Sequence, residues 1–461
     1  MTRTRIVEDV AQLEALAPKW RALVASDPAC EPVVTPTWTL AWWRNFGTED
    51  GRKLRAVVVE DGEELVGLAL VSLRTVYVRR AIPVRRLELL MTGEIEADEI
   101  CSDYVGVLTA PGREREVATA FADVLASEDV GVWDDFVFSA MNGEAPFVRA
   151  WLDVLRERNL EPELEVTGRC PYVRLPATWE EYLAMLDGGD RYIVSRALRD
   201  LEKWAGKDGF ALHRAEDAAS LSEGWRILTS LHGERWSERG SKGVFASSRF
   251  SKFHEEVMAH LLAGTDGRLD LMWLTVKGEP IAAVYNVVHA GKTYFYQSGR
   301  KLDLPKGIRA GIVLHALAIR RAIAEGQREY DFLNGEAQYK RQLATAVRDL
   351  VTIRASASTL RARAVAAATN LAERAIESVR SPASVRSPLS TRGSASSPPT
   401  SARPSSSTRP PPSVRPSSSR AAFRVDLRKR VRRHRPSSPS STRSRPRTST
   451  RRRRCRSGCR P

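Results

Sequence analysis

The sequence predicts an α/β protein in which one unit, a mixed twisted sheet flanked by helices, occurs twice. The main observation is a repeated order of elements: two β-rich runs around a hairpin turn, a further strand, a helix and a last strand. This order runs through residues 54–140 and again through residues 268–335. A second observation sets the end of the folded part, because the chain becomes rich in Ser, Pro and Arg from about residue 381.

The first unit begins with apolar residues at helical spacing over residues 6–25, which predicts a helix. The apolar face of this helix carries Leu13, Leu16, Trp20 and Leu23. The stretch "PTWTLAWWRNFG" at 36–47 predicts a short helix, whose aromatic side chains either fill the core or form a wall for a substrate. Asp61-Gly62 then marks a hairpin, and a helix is expected over residues 113–126.

The second unit contains hairpin turns at Lys277-Gly278 and Ala290-Gly291. After them, "PKGIRAGIVLHALAIRRAIAEG" at 305–326 predicts a helix with an apolar stripe and with Pro, Lys and Gly in its first turn. The strand "REYDFLNG" follows this helix, just as "VWDDFVFSA" follows the helix of the first unit. We expect the seam between the units near residues 160–172.

Four segments are expected: a first domain over 1–168, a second over 169–355, a helix over 356–379, and a disordered tail over 380–461. The tail holds 22 Arg and one Lys against a single acid, whereas residues 1–379 hold 49 basic and 55 acidic residues. The formal net charge of +16 therefore comes from the tail, and the folded part is mildly acidic. The tail is either a genuine basic segment or the product of a frameshift in a GC-rich gene.

Cysteine usage and the amino terminus indicate a soluble, cytoplasmic protein. The five cysteines are scattered and show no metal-ligand spacing, so we expect neither a disulfide framework nor a metal site. The amino terminus carries acids where a signal peptide would be apolar. No apolar run approaches the roughly 20 residues that span a bilayer.

The start of the helix at 305–326 is a candidate phosphate site. The first turn of a helix has unpaired amides and partial positive charge, so it attracts phosphates. Gly307 and Gly311 lack the Cβ that would keep a phosphate away, and Lys306 and Arg309 add full positive charges. An ordinary structural helix flanked by Gly and Pro would show the same pattern.

Four stretches between residues 190 and 345 carry a family resemblance: "LHGERWSERGSKGVFASSRFSKFH", "GEPIAAVYN", "YFYQSG" and "EYDFLNGEAQYKRQLA". In this order they resemble the Gcn5-related N-acetyltransferase (GNAT) superfamily, and more closely its bacterial CelD-type, BioF2-like group, which is related to the FemAB aminoacyltransferases. The resemblance implies tandem GNAT-like domains. It implies that the second binds acetyl-CoA or another acyl-CoA between two splayed strands. The first lacks the basic glycine turn, so we expect it to bind no cofactor.

The resemblance also implies that the pyrophosphate of the acyl-CoA lies at the helix terminus. The residues expected to contact it are Lys306, Gly307, Ile308, Arg309, Ala310 and Gly311. From their positions, Asp331 and Glu336 are candidates for the general base and Tyr339 for the general acid. The residues expected to contact the acceptor are His232, Arg235, Trp236 and Lys340, of which Lys340 could instead pair with a carboxylate or a phosphate. For each candidate a local structural role is the alternative.

Three functions follow from these observations. The first is an acyl-CoA-dependent N-acyltransferase, in particular an acetyltransferase, acting on an amine of an envelope or polysaccharide precursor or of a small metabolite. The second is FemAB-like transfer from aminoacyl-tRNA, for which the basic helix at 188–205 could contact a nucleotide or the tRNA. The third is an inactive GNAT-fold module that binds nucleic acid or anionic lipid through the basic tail.

Overall fold

A computed structural model describes residues 2–368 of the chain, except residues 49, 79–80, 207, 239 and 241. These residues belong to one compact unit. The predicted tail, and the basic surface that it would supply, lie outside the described residues. Of the helix predicted over 356–379, residues 356–368 are described: residue 356 ends a strand, residues 357–359 are not helical, and residues 360–368 are helical.

The first half of the fold, residues 2–174, contains nine strands and five α-helices among the described residues. In chain order they are β1 (Thr2–Val7), α1 (Val10–Ala15), α2 (Ala17–Ser26), α3 (Pro36–Trp42), β2 (Lys53–Leu54), β3 (Ala56–Asp61), β4 (Glu64–Ala69), β5 (Val71–Val78), β6 (Ile82–Leu89), β7 (Leu108–Thr109), α4 (Glu114–Ser127), β8 (Asp135–Asn142), α5 (Pro146–Glu157) and β9 (Glu163–Arg174).

The second half, residues 175–356, contains six strands and six α-helices among the described residues. In chain order they are α6 (Trp179–Met185), α7 (Gly188–Ala205), β10 (Phe210–Arg214), α8 (Ala218–Ser237), α9 (Ser248–Leu262), β11 (Arg268–Val276), β12 (Glu279–His289), β13 (Lys292–Arg300), α10 (Ala310–Ala324), β14 (Glu329–Asp331), α11 (Gln338–Leu343) and β15 (Ala346–Ser356).

Two sheets carry the strands, and the prediction of a mixed α/β fold is confirmed. The smaller sheet has the order β1-β3-β4-β7, and the larger has the order β10-β11-β12-β13-β14-β9-β15-β8-β6-β5-β2. Only the β6–β8 and β13–β14 pairs of the described strands are parallel. A helix connects the strands of each parallel pair, α4 in the first half and α10 in the second. Each half thus contains the predicted order of hairpin, strand, helix and strand.

The last strands of the two halves are interleaved in the larger sheet. β9 of the first half lies between β14 and β15 of the second half, and β15 lies between β9 and β8. The seam expected near 160–172 therefore falls within β9, which pairs with the second half along both of its edges. The division of the chain at residue 168 stays a prediction.

The amino-terminal helix differs from the prediction over residues 6–25. Residues 2–7 form an edge strand, and the helical part is divided into α1 and α2 after Leu16. Pro18 explains the break, because proline has no amide hydrogen to continue the helical ladder. The apolar face was predicted correctly, since Leu13, Leu16, Trp20 and Leu23 are all buried.

The tryptophan-rich stretch at 36–47 forms α3 and a following π-helical turn. Its large aromatic side chains are buried, and Trp38 packs edge-on against Phe253 of α9 with ring centroids 5.1 Å apart. These side chains therefore fill the core.

Gly299 allows α8 to lie directly on β13. A Cβ at this position would lie 2.6 Å from the backbone nitrogen of His232 and 2.9 Å from the carbonyl oxygen of Leu228. Both atoms belong to the α8 backbone, so a side chain would push the helix away from the strand. This contact sets the position of the last turns of α8, which carry Arg235 and Trp236.

We therefore expect Gly299→Ala to lower the free energy of unfolding by about 1–3 kcal/mol, because the added methyl group overpacks this contact. The measurement is urea unfolding of the full chain. The matched control is Gly106→Ala, whose methyl group would meet no atom within 4 Å and should change stability little. Equal unfolding midpoints for the two variants would contradict the contact's importance.

Candidate functional site

A cavity of about 650 Å³ lies where the two parallel strand pairs separate. The last paired residues are Tyr294 with Asp331 in β13–β14, and Glu88 with Val137 in β6–β8. Beyond them the chain segments diverge and line a space that we call the central cavity. The first half lines it with Glu88, Met91, Thr92, Gly93, Glu94, Glu99, Cys101, Ser102, Asp103, Val137, Ser139, Ala140 and Thr167. The second half adds Arg235, Trp236, Phe295, Tyr296, Gln297, Ser298, Phe332, Leu333, Asn334, Tyr339, Lys340, Leu350 and Thr352.

Strand β13 carries a β-bulge where it lines the central cavity. Tyr285 of β12 pairs with Gln297, whereas the next residue, Asn286, pairs with Phe295. Tyr296 is therefore an extra residue outside the ladder. The bulge lies immediately beyond the last β13–β14 pair, so the strand bends at the point where its neighbour leaves it.

A second space of about 680 Å³, the α10 cleft, opens at the amino end of α10. Its lining includes residues 308–312, His315 and Arg300. It shares Arg235, Ser298 and Tyr339 with the central cavity. The two spaces are therefore adjacent and have these three residues as their common wall.

Helix α10 begins at Ala310, so its start differs from the predicted start at residue 305. Residues 305–309 form a turn before the helix, in which Gly307 has a φ of +99°. This conformation is incompatible with a helix and is strained for residues that carry a Cβ. The predicted glycine-bearing first turn is thus the approach to the helix, and Gly311 alone of the two glycines lies within it.

The amino terminus of α10 has the properties of an anion site. The first helical hydrogen bond runs from the Val313 amide to the Arg309 carbonyl at 3.0 Å, so the amides of residues 310–312 precede the ladder. No described side chain caps this end, whereas Asp187, Asp217 and Ser247 cap α7, α8 and α9. The partial positive charge of the helix is therefore directed into the cleft.

The charges that line the α10 cleft are all positive among the described residues. Arg235, Arg300 and Arg309 line it, and no acid does. Arg300 and Arg309 form no ion pair with a described acid. Lys306, which was expected to contact the ligand, is exposed and lines neither space.

The corresponding helix of the first half, α4, has an acidic first turn. Glu114 and Glu116 lie in this turn, and the Glu114 carboxylate accepts a hydrogen bond from the Gly112 amide at 3.0 Å. Arg113 is bound to Glu116 and Asp61. The amide group before this helix is thus already paired with a carboxylate, which disfavours an anionic ligand there.

Asp331 lies in a buried ion network and lines neither space. Its carboxylate accepts hydrogen bonds from Arg348 and from the hydroxyl of Tyr104, each at 2.9 Å, and from the Leu333 amide at 2.7 Å. Burial raises the pKa of Asp331 to about 7, and Arg348 opposes this shift. The geometry gives Asp331 a structural position between the two halves.

The loop after β14 places Glu336 and Tyr339 differently. Glu336 is exposed, and the guanidinium of Arg169 lies 3.8 Å from its carboxylate. Tyr339 stands between the central cavity and the α10 cleft, where its ring stacks on His315 with centroids 5.2 Å apart. Burial raises the pKa of Tyr339 to about 12, so its phenol stays protonated at neutral pH.

Lys340 lines the central cavity and fixes the loop before it. Its ammonium group donates hydrogen bonds to the carbonyls of Leu333 at 3.2 Å and Asn334 at 2.5 Å. Burial lowers the pKa of Lys340, while the charge of Asp103 opposes the shift. Lys340 thus binds backbone carbonyls of the residues that follow β14, where the chain leaves β13.

The residues predicted on α8 divide between core and cavity. Arg235 and Trp236 line the central cavity, and the Arg235 guanidinium lies 6.0 Å from the Trp236 ring centroid. His232 is buried below them and accepts a hydrogen bond from the indole nitrogen of Trp236 at 2.8 Å. Burial lowers the pKa of His232 to about 4, so this side chain is neutral and positions Trp236.

Asp103 is a cavity residue that the sequence analysis missed. It belongs to the first half, and its carboxylate accepts a hydrogen bond from the Asn334 amide of the second half at 2.7 Å. Burial raises the pKa of Asp103 to about 6, whereas Asn334 and the charge of Lys340 oppose the rise. The available signal was a polar Ser-Asp pair before the apolar stretch "YVGVL".

The part of the chain that the structure describes contains no group of three or more His, Cys, Asp or Glu side chains that could hold a metal ion. Within the same part, every helix is too short or too polar to cross a bilayer. The candidate site is therefore built from the strand ends, the α10 terminus and the α8 side chains described above.

Comparisons with known proteins agree with this geometry. Residues 189–341 match the profile of the acetyltransferase (GNAT) domain family. The crystal structure of FemX has a TM-score of 0.50 with 12% sequence identity, and the match covers 75% of this chain and 96% of that chain. At this identity the likeness shows the fold alone. No curated protein sequence matches the chain.

Two further solved structures are similar to a lesser degree. L-PGS from Bacillus licheniformis is 11% identical with a TM-score of 0.44, and the match covers 77% of this chain and 96% of that chain. A tandem GNAT protein from the clavulanic acid biosynthesis pathway is 10% identical with a TM-score of 0.42, and the match covers 78% and 100%. The profile match assigns residues 189–341 to the acetyltransferase (GNAT) domain family, and the likeness to FemX shows that the two chains share a fold.

Proposed function

We propose that the protein is an acyl-CoA-dependent N-acyltransferase, in particular an acetyltransferase, and that it acts on an amine in the cytoplasm. The observation that carries the proposal is the uncapped, arginine-lined terminus of α10, which opens into a cleft adjacent to the central cavity. In this proposal the acyl donor occupies the α10 cleft and the acceptor amine occupies the central cavity.

The α10 cleft fits the pyrophosphate of a CoA thioester. The amides of residues 310–312 supply unpaired donors, and Arg300 and Arg309 supply full positive charges. A Cβ at Gly311 would lie 3.7 Å from the Cδ of Arg300. The glycine therefore keeps the first turn accessible beside this arginine. Second-half residues form this site, consistent with the proposal that residues 169–355 are the donor-binding domain and residues 1–168 complete the acceptor side.

The common wall of the α10 cleft and the central cavity would place the donor next to the acceptor. A ligand that extends inward from the α10 terminus passes Ser298 and Tyr339 before it reaches the bulge at Tyr296. The thioester then lies where β13 and β14 separate. In this position a backbone amide of β13 can polarise the thioester carbonyl, as the resemblance to the superfamily implies.

Proton transfer requires a base toward the amine and an acid toward the leaving thiolate. Of the carboxylates that line the central cavity, we assign the base to Asp103, because it accepts the Asn334 amide beside the strand opening; Asp331 and Glu336 line neither space. The amine nitrogen forms the new C–N bond, the C–S bond breaks, and Asp103 accepts the amine proton. Tyr339 donates a proton to the thiolate, since its phenol is protonated at neutral pH.

The lining charges of the central cavity favour a basic acceptor. Glu94, Glu99 and Asp103 form no ion pair with a described base. Carboxylates without a cationic partner attract an ammonium group. The volume of about 650 Å³ is large enough for an amino sugar, an amino acid or a small metabolite. Our proposed acceptor is therefore an amine of an envelope or polysaccharide precursor or of a small metabolite.

Gly311→Glu tests the donor site. A carboxylate in the first turn of α10 should weaken acetyl-CoA binding about tenfold or more by repelling its phosphates. The measurement is calorimetric titration of the full chain. Gly311→Gln is the matched control, because it has the same size without the charge and should bind better than the glutamate variant.

Equal affinities for the wild type and both Gly311 variants would contradict the assignment of the helix terminus. A wild-type protein that binds no acyl-CoA would overturn the acyltransferase proposal as stated. The same titration with aminoacyl-tRNA then tests the FemAB-like alternative directly.

Asp103→Asn tests the base. The amide oxygen can still accept the Asn334 hydrogen bond, so the fold should be kept while the rate falls by about 100-fold or more. The base acts when deprotonated, so the wild-type rate should fall as the pH drops through about 6, and this limb should vanish in the variant. The rate and its acidic limb are both measured in the pH–rate profile of acetyl transfer, with the amine that the wild type acetylates fastest in a panel of primary amines.

Asp331→Asn is the comparison for this experiment. If Asp331 were the base, its variant would lose the acidic limb, and the limb would lie near pH 7 in the wild type. An Asp103→Asn enzyme with wild-type rate and profile would contradict the assignment.

A further inference from the structure

A small groove lies between α7 and the turn that precedes α10. Its volume is about 120 Å³, and we call it the α7 groove. Tyr192, Arg196 and Asp200 line it from α7, and Gly307 and Arg309 line it from the turn. Gly307 contributes no side chain, so the α7 side chains and Arg309 determine the chemistry of this space.

The α7 groove continues the α10 cleft. Ile193 and Arg309 line both spaces. A ligand whose phosphates lie at the α10 terminus therefore reaches the groove at one end and the central cavity at the other. The α7 groove, the α10 cleft and the central cavity thus lie in sequence, with the amino terminus of α10 at the middle one.

The α7 groove offers an aromatic face and a guanidinium. Tyr192 is 55% exposed, and the Arg196 guanidinium lies 5.9 Å from its ring centroid. Arg196 also donates a hydrogen bond to the Tyr192 hydroxyl at 3.2 Å. Exposed aromatic rings stack on nucleobases, and arginine binds phosphate through paired N–H donors.

The charge of the groove favours an anion. Arg196 and Arg309 line it against a single acid, Asp200. The Asp200 carboxylate is already bound to Arg196 at 3.3 Å, in an i, i+4 pair. Arg309 forms no ion pair with a described acid, so the groove keeps one positive charge in excess.

We propose that the α7 groove is the subsite for the 3′-phosphorylated adenosine end of the acyl donor, with the base on Tyr192 and the 3′-phosphate on Arg196. This inference rests on the proposed function, because it needs a CoA thioester whose pyrophosphate lies at the α10 terminus. It gives the basic helix predicted at 188–205 a role in donor recognition.

The test is calorimetric titration of the full chain with CoA and with dephospho-CoA, which lacks only the 3′-phosphate. We expect the wild type to bind dephospho-CoA about tenfold more weakly than CoA. Arg196→Gln should weaken CoA binding about tenfold and leave dephospho-CoA binding unchanged. Arg199→Gln is the matched control, because Arg199 is exposed on the same helix, does not line the groove and should not alter either affinity.

Tyr192→Ala is an independent test, because loss of the stacking ring should lower the affinities for CoA and dephospho-CoA by the same factor. The subsite proposal is overturned if the wild type binds CoA and Arg196→Gln either lowers the affinities for CoA and dephospho-CoA equally or changes neither. A wild type that binds neither ligand overturns the donor proposal and the subsite together, so the two failures are distinguishable.

Discussion

The position of the candidate site depends on one buried cation, Arg348. Its guanidinium forms hydrogen bonds of 2.9–3.0 Å with the carboxylates of Glu329 and Asp331 on β14, while Arg348 itself belongs to β15. The Tyr172 ring centroid lies 4.3 Å from the guanidinium. Breaking a buried pair leaves an uncompensated charge at a cost of about 3–5 kcal/mol. The network therefore fixes where β14 ends.

The end of β14 in turn creates the central cavity. The chain turns away from β13 immediately after Asp331, and the Lys340 ammonium holds the departing loop through two carbonyls. Asp103 of the first half accepts the Asn334 amide of the same loop. An interleaved sheet thus brings a carboxylate from one half to the strand opening of the other, which a single half would lack.

Local features of the site could be predicted from the sequence. Glycine turns, the apolar stripe of α10 and the basic residues before it are set by neighbours in the chain, and the predicted residues 308–311 all line the cleft. The start of α10 was placed five residues too early because proline favours a first helical turn, whereas the positive φ of Gly307 delays the helix.

Long-range features could not be predicted in the same way. Asp103 and Asn334 are 231 residues apart, and no periodicity links them. The exchange of β9 and β15 between the halves depends on strand pairing, which hydrophobic alternation does not specify. For the same reason the pairing of Asp331 with the buried Arg348, 17 residues away on another strand, could not be predicted.

We propose that an acyl-CoA binds with its phosphates on the first amides of α10 and its acyl group at the β13 bulge. Amide hydrogen exchange of the full chain, with and without saturating acetyl-CoA, tests both ends of the ligand at once. If the ligand binds in this way, exchange should be slower in peptides covering residues 310–312 and 295–298. Unchanged exchange in both segments, with acetyl-CoA bound, would contradict it.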